Sequence, residues 1–324
     1  MKIAVIGGSG FIGTRLVKEL KEAGHIVRIF DKAQSRTFPD KVIVGDVRDA
    51  TALTKALAGI DIIYNLAAEH RDDVTPTTLY YDVNVEGARN IVWAAKANGI
   101  RKIIFTSTVA VYGLNKTNPD EKSPTEPFNH YSKSKLQAEK IFSEWAGTQD
   151  DHCLVTLRPV VIFGEGNRGN VYNLIKQIQS NKFMMVGGGN NRKSMAYIGN
   201  VTKFLANAAS FEPGNHIFNI ATKPDMNVGE LVKLIRAELD ISTSMTRLPY
   251  WIGLVGGFAF DLLAKMTGKR FPISTIRIQK FCATTTISTK SLEATGFQQP
   301  YTLHEGIKSM IANLDQNIYF EGGG

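Results

Sequence analysis

Short apolar runs recur along the chain and alternate with longer stretches of helical period. Lys2-Ile3-Ala4-Val5-Ile6 is a continuous apolar run, the pattern of a strand covered on both faces. Similar runs predict strands at His25–Phe30, Val42–Val44 (short and buried), Asp61–Tyr64, Lys102–Phe105, Cys153–Leu157 and His216–Ile220. Between them, Thr14–Leu20 spaces its apolar residues for one helix face. Further helices are expected from Asp49 to about Ala58 and from about Asp82 to Asn98. Strands alternating with helices predict an α/β fold built on a doubly wound parallel sheet, with ligands at its carboxyl edge. Residues 1–165 form the expected nucleotide-binding domain, with 201–222 returning to it, and 166–324 a smaller C-terminal substrate lobe.

Composition narrows the classes. A chain of 324 residues, 43% hydrophobic, is long enough for a large core and a second lobe. Cys153 and Cys282 lie far apart, which fits a reducing, cytoplasmic compartment, and the six histidines form no zinc signature, so no metal is expected. The first residues open directly on a strand rather than on a signal segment, and no apolar run reaches the ~18 residues needed to span a bilayer. The net charge of +8 is unevenly spread. Gly166–Phe211 and Leu262–Leu292 each carry six cations and no acid, a field suited to an anionic ligand or an anionic membrane surface. No nucleic-acid recognition motif accompanies it.

Gly7, Gly10 and Gly13 follow the first strand and lead into the first helix. Spaced glycines allow a tight turn and close approach of backbone N–H groups to a pyrophosphate, which the helix N-terminus then faces. The spacing is one residue wider than the usual dinucleotide fingerprint. Asp31 lies 18 residues past Gly13, where an acid accepts from the ribose hydroxyls and repels a 2′-phosphate. NAD is therefore favoured over NADP, although Lys32 and Arg36 are cations able to hold such a phosphate. Thr106-Ser107-Thr108 ends the fifth strand at the edge where the cofactor should lie. Downstream, Tyr131 and Lys135 stand at i and i+4, on one face if the segment is helical. A phenol of pKa about 10 becomes a base near neutrality only with about 4 kcal/mol of help, much of which an adjacent ammonium can supply.

Taken together, Gly7-x-x-Gly10-x-x-Gly13, Asp46-Val47, Asn65-Leu66-Ala67-Ala68, Thr106-Ser107-Thr108 before Val111-Tyr112-Gly113, Tyr131-x-x-x-Lys135 and Arg158-Pro159 resemble the extended short-chain dehydrogenase/reductase superfamily. The resemblance implies a Rossmann-type sheet and NAD as cofactor. It places Tyr131 as the base and acid, Lys135 as the residue that tunes it and binds the nicotinamide ribose, and Thr108 as the hydroxyl that orients the substrate. It implies cofactor contacts from Gly7, Gly10, Phe11, Ile12, Gly13, Asp31, Asp46, Val47, Leu66, Ala67, Ala68, Asn84 and Val160.

The stretches AAEHRDDVTPTTLYYDVNVEGARN, GEGNRGNVYNLIKQI, RKSMAYIGNV and LPYWIGLVGGFAFD narrow the likeness to bacterial 4-epimerases of O-antigen assembly. These act on N-acetylglucosamine carried by undecaprenyl diphosphate. The implied chemistry is hidden redox: a 4-keto sugar forms, turns over, and is reduced on its other face with no net consumption of cofactor. Asn167, Arg168, Asn170 and Lys193 are the expected diphosphate anchors. Val161 and Lys193 stand where nucleotide-sugar epimerases carry an Asn and an Arg, which argues against direct recognition of a uridine diphosphate. Trp251–Phe260, followed by Lys265, Lys269 and Arg270, reads either as an apolar wedge lying on anionic lipid or as a core helix of the substrate lobe. The expected location is peripheral, on the inner face of the bacterial inner membrane, with a homodimer as the candidate assembly. Rival readings are a soluble UDP-N-acetylhexosamine 4-epimerase, an NAD(P)H-dependent 4-keto-sugar or sterol-type reductase, and a nucleotide-sensing regulator, which an intact Tyr/Lys pair disfavours.

Overall fold

The structure is a computed structural model that describes residues 1–314 apart from 72–73, 115, 244 and 269–273. Six strands come first: β1 (Lys2–Ile6), β2 (Ile26–Asp31), β3 (Val42–Val44), β4 (Ile62–Asn65), β5 (Lys102–Thr106) and β6 (Cys153–Pro159). Four short strands follow, β7 (Val161–Phe163), β8 (Met185–Val186), β9 (Arg192–Lys193) and β10 (Met195–Tyr197), before the long β11 (Gly214–Ile220). The main sheet runs β11-β6-β5-β4-β1-β2-β3, parallel throughout. Its strand order reverses between β1 and β4, the switch point where open α/β sheets bind ligands.

Alternation along β1 shows why a continuous apolar run was needed. Ile3 and Val5 enter one core, beside α1 (Phe11–Glu22), and Ala4 and Ile6 enter the other. That second core is roofed by α2 (Ala50–Ala56), then by α4 (Gly87–Ala97), which follows the short helix α3 (Thr78–Tyr81), and by α5 (His130–Ala146). A third core belongs to the C-terminal lobe. There α6 (Asn170–Gln179), α8 (Val228–Glu238) and the first residue of α7 (Ile198–Asn207) enclose Phe163, Ile175, Ile198 and Val232, while the rest of α7 packs on the main sheet.

Two expectations need correction, and one of two open readings is not met. The third strand forms, but Ile43 and Val44 are 41% and 59% exposed, because β3 is the sheet edge and has no neighbour beyond it. The helix expected from Asp82 begins at Thr78 and is broken by a π-helical turn, Asp82–Glu86. That wider turn holds Asn84 inward. The Trp251–Phe260 stretch is helical as part of α9 (Tyr250–Thr267), but it is not a core helix: among its residues only Gly253 and Gly257 are buried.

Gly257 seats α9 against α10 (Thr275–Cys282), and Gly253 seats it against β8. A Cβ on Gly257 would lie 2.8 Å from the Thr275 nitrogen, and one on Gly253 would lie 2.5 Å from a Val186 methyl carbon. Contact is made by backbone, so side chains on the other faces stay in solvent. Gly257→Val should push the two helices apart and cost about 1–3 kcal/mol, as other overpacked contacts do. The expected result is earlier proteolysis within 250–282 while the main sheet keeps its protection; an unchanged digestion pattern would contradict the close seating.

Candidate active site

The carboxyl edge of the main sheet opens into a cleft of about 990 Å³. Its floor is the glycine turn after β1. Gly7 has φ +80°, and a Cβ there would lie 2.7 Å from the Ala67 nitrogen across the switch point. A Cβ on Gly13 would lie 2.4 Å from the Gly7 carbonyl oxygen. Gly10 caps α1 without offering a side-chain hydrogen bond, so the helix end is left to whatever enters the cleft. The Asp31 carboxylate accepts from the backbone N–H of Ser9 at 2.9 Å and of Ala33 at 3.0 Å. It therefore holds the glycine turn while facing the cleft. Asp46 pairs with Arg48 through a two-pronged contact of 3.0 and 2.7 Å, and these hydrogen bonds hold its carboxyl below the usual range.

The opposite wall carries the candidate chemistry. Asn129 caps α5 through a reciprocal pair with Ser132, and this fixes where the helix begins. Tyr131 and Lys135 both line the cleft from its first turns. Lys135 is only 2% exposed; its Nζ donates to the Thr106 carbonyl at 2.6 Å and sits 4.2 Å from the centre of the Phe105 ring. Burial pushes its ammonium down to about 7, and the Glu139 carboxylate acts against that fall. An adjacent Lys is thus not automatically a cation here. Thr108 faces the same space, its Oγ1 accepting from the Ala110 N–H at 3.2 Å. Thr106 Oγ1 and Ser107 Oγ are buried with no partner among the described residues, which fits a polar ligand completing them.

Of the residues expected to bind cofactor, Gly7, Gly10, Phe11, Ile12, Gly13, Asp31, Asp46, Val47, Leu66, Ala67, Ala68 and Val160 line this cleft. Asn84 does not. Its side chain accepts from the Glu69 N–H and donates to the Glu69 carbonyl and to Ser134 Oγ. It ties the loop after β4 to α5 from behind, because the π-helical turn aims it into the protein. Among the expected diphosphate anchors, Asn167, Asn170 and Lys193 reach the cleft. Arg168 does not: it turns the other way, its guanidinium 5.9 Å from the Tyr172 ring centre. Lys193 donates to the Lys280 carbonyl at 2.7 Å, and burial pushes its ammonium down.

The expected set missed Lys280, Thr285 and Ile287, which reach the cleft from beyond α9, and Phe128 and Pro119 from the segment before α5. The acid-free run Leu262–Leu292 was the available signal for the first three.

A parallel sheet with a glycine turn at its switch point, and a Tyr/Lys pair on the facing helix, defines a dinucleotide-dependent enzyme of the short-chain dehydrogenase/reductase class. Residues 3–221 match the family described as NAD dependent epimerase/dehydratase, and the chain belongs to that family. It is 51% identical over 98% of its length to an N-acetyl-α-D-glucosaminyl-diphospho-ditrans,octacis-undecaprenol 4-epimerase of Escherichia coli O157:H7, covering 95% of that protein. A 3-beta-hydroxysteroid dehydrogenase of Mycolicibacterium neoaurum is 32% identical over 66% of this chain and 62% of its own. The fold is shared with the Thermus thermophilus UDP-glucose 4-epimerase in complex with NAD, at TM-score 0.75 and 19% identity, covering 98% and 100% of the two chains. It is also shared with a Bacillus cereus UDP-N-acetylglucosamine 4-epimerase, at TM-score 0.76 and 19% identity, covering 97% and 99%.

Two outcomes follow from the geometry. Gly13→Ala should remove nucleotide binding with circular dichroism close to wild type, since the added carbon forces the Gly7–Gly8 backbone out of place within the turn; retained affinity would displace the glycine turn as the binding floor. Lys135 titrates near 7 when folded and near 10.4 in a free chain. Between those values the unfolded chain binds the extra proton. The residue therefore costs most stability below about pH 7, and the cost fades as pH rises. Cofactor-free wild type should gain about 2–3 kcal/mol relative to Lys135→Met between about pH 6 and pH 9. A pH-independent difference would show the amine is not held near 7.

Proposed function

We propose that the chain is an NAD-dependent 4-epimerase interconverting N-acetylglucosamine and N-acetylgalactosamine on undecaprenyl diphosphate. The observation that carries this reading is the 51% identity with the Escherichia coli 4-epimerase, which runs through both lobes, whereas the match to the steroid dehydrogenase stops at 66% of the chain. The glycine turn, the open end of α1 and the orphaned hydroxyls of Thr106 and Ser107 fit a bound NAD. When bound, NAD supplies a hydride acceptor, and then a donor, at the sugar C4.

Under this reading Tyr131 takes the proton from the sugar O4 hydroxyl and later returns it. Lys135, beneath it on α5, favours the phenolate and binds the nicotinamide ribose. Thr108 orients the sugar oxygen. Residues 1–165 with 201–222 hold the cofactor and the remainder holds the substrate. Asn167, Asn170 and Lys193 would keep the diphosphate in place while the ring turns between half-reactions. The anchor rests on these three, since Arg168 points elsewhere.

A lipid carrier requires the protein to reach a membrane. No helix among the described residues is long and apolar enough to cross one. The support for peripheral contact is α9, on which Trp251, Val255, Phe258, Leu262 and Met266 follow at helical spacing with exposures of 52–75%. Lys265 lies on the same helix, and Arg277 and Lys280 lie on α10; Lys269 and Arg270 are outside the described residues. An apolar stripe beside cations suits the anionic inner face of a bacterial inner membrane.

The decisive assay compares GlcNAc-diphosphoundecaprenol in vesicles with UDP-GlcNAc. Turnover of the first without net loss of NAD is expected; activity on the nucleotide sugar alone would defeat the lipid reading, and stoichiometric consumption of NAD(P)H would point to a reductase. Tyr131→Phe should lower turnover by about 10²–10⁴-fold with NAD affinity unchanged. Lys193→Ala should raise KM about tenfold and spare NAD binding; equal loss of both would reassign it.

A further inference from the structure

Below the catalytic pair, α5 buries a carboxylate that none of the steps above uses. Tyr131, Lys135 and Glu139 stand at successive i+4 positions and share one helix face. Glu139 is 7% exposed and Arg158, at the end of β6, is 4% exposed. Their contact is a two-pronged fork, with Nε donating to Oε1 at 3.0 Å and Nη2 to Oε2 at 2.6 Å. The remaining nitrogen, Nη1, donates to the Tyr112 hydroxyl at 2.9 Å, and that hydroxyl donates to Asn219 Oδ1 at 2.8 Å. Neither Glu139 nor Arg158 lines the cleft. Ion pairs this deep are weak sources of stability, because apolar replacements of the same volume often do as well. Their position therefore matters more than their strength.

What the position provides is a counter-charge. Among the described residues Lys135 Nζ meets one carbonyl and the face of one ring, which is little for a buried ammonium. Glu139 is the carboxylate that favours its charged form. Other titratable groups on the elements around α5 are engaged elsewhere. Glu69 is paired with Arg71, Glu86 with Arg89, and Tyr81 with His130. The Tyr80 hydroxyl donates to the Arg71 carbonyl, and His216 is bound to the Glu212 carbonyl. Asp82 faces Arg48 across the loops, and Lys96 is exposed on α4. Arg158 and Tyr112 belong to the Glu139 network itself.

We propose that Glu139 is a positioning residue for the epimerisation: clamped by Arg158, it holds a carboxylate one helical turn from Lys135 and raises the share of that side chain present as ammonium on the helix face it shares with Tyr131. The inference rests on Tyr131 being the proton carrier. Glu139 touches neither cofactor nor sugar, and acts only through Lys135. Without it, Lys135 sits neutral near pH 7 and no longer favours the phenolate, so Tyr131 ionises at higher pH.

The test is the tyrosinate absorbance of NAD-loaded and cofactor-free protein titrated with base, with Tyr131→Phe as the blank, alongside the pH profile of kcat. Glu139→Gln should move the Tyr131 titration and the acid limb of kcat upward by about one unit, a roughly tenfold loss of rate near pH 7 that recovers at higher pH. Glu139→Asp should stay close to wild type. Glu139→Gln leaves a buried guanidinium unpaired, which threatens folding, so the paired change Glu139→Gln with Arg158→Met is measured too; its shift has the same direction and is smaller, because the guanidinium charge leaves with the nearer carboxylate. A paired variant that titrates like wild type, or one whose rate falls equally at every pH, overturns the proposal. The titration needs no sugar. Absence of turnover would count against the reaction assigned above, while the tyrosinate curve alone decides the role of Glu139.

Discussion

The interaction on which the rest depends is the burial of one amine. Lys135 reaches from α5 to the last carbonyl of β5 and is shut away from water by the ring of Phe105. Holding a cation there is costly, so every element around it must be fixed closely enough to supply compensating dipoles and charge. The parallel sheet meets that demand by ending β5 with its carbonyls at the cleft, and α5 meets it by starting at a defined residue. A helix that began one position later would rotate Lys135 by about 100° away from the cleft.

Several devices guard against such a shift. The reciprocal Asn129–Ser132 cap sets the first turn, Asn84 grips Ser134 in the next, and the Glu139–Arg158 fork pins the turn after Lys135 to β6. Asn84 can do this because a π-helical turn carries it inward. Such turns sacrifice regular hydrogen bonding and are found where a side chain must be aimed. The last two of these contacts bring the loop after β4, α5 and β6 into one frame around the cleft.

Much of this is legible in the order of the amino acids. Continuous apolar runs mark the strands of the main sheet because a strand covered on both faces cannot alternate, and the glycine spacing locates the floor of the cleft. Three kinds of feature are not legible there. Strands of two or three residues such as β8 and β9 are too short to show a period. Exposure of Ile43 and Val44 depends on β3 being last in the sheet, which is a property of topology and not of those residues. The outward turn of Arg168 beside its inward neighbours Asn167 and Asn170 is set by the start of α6, and Lys280 reaches the cleft only through the seating of α10 on α9.

Asp31 shows how tightly two properties can be bound together in one side chain. Its two oxygens accept from Ser9, inside the glycine turn, and from Ala33, just after β2, while the same carboxylate lines the cleft. A lineage that exchanged this acid for a smaller or basic residue to accept a phosphorylated coenzyme would also unfasten the turn that cradles it. Switching coenzyme is therefore at least a two-step change for this scaffold, with the intermediate form handicapped for either partner.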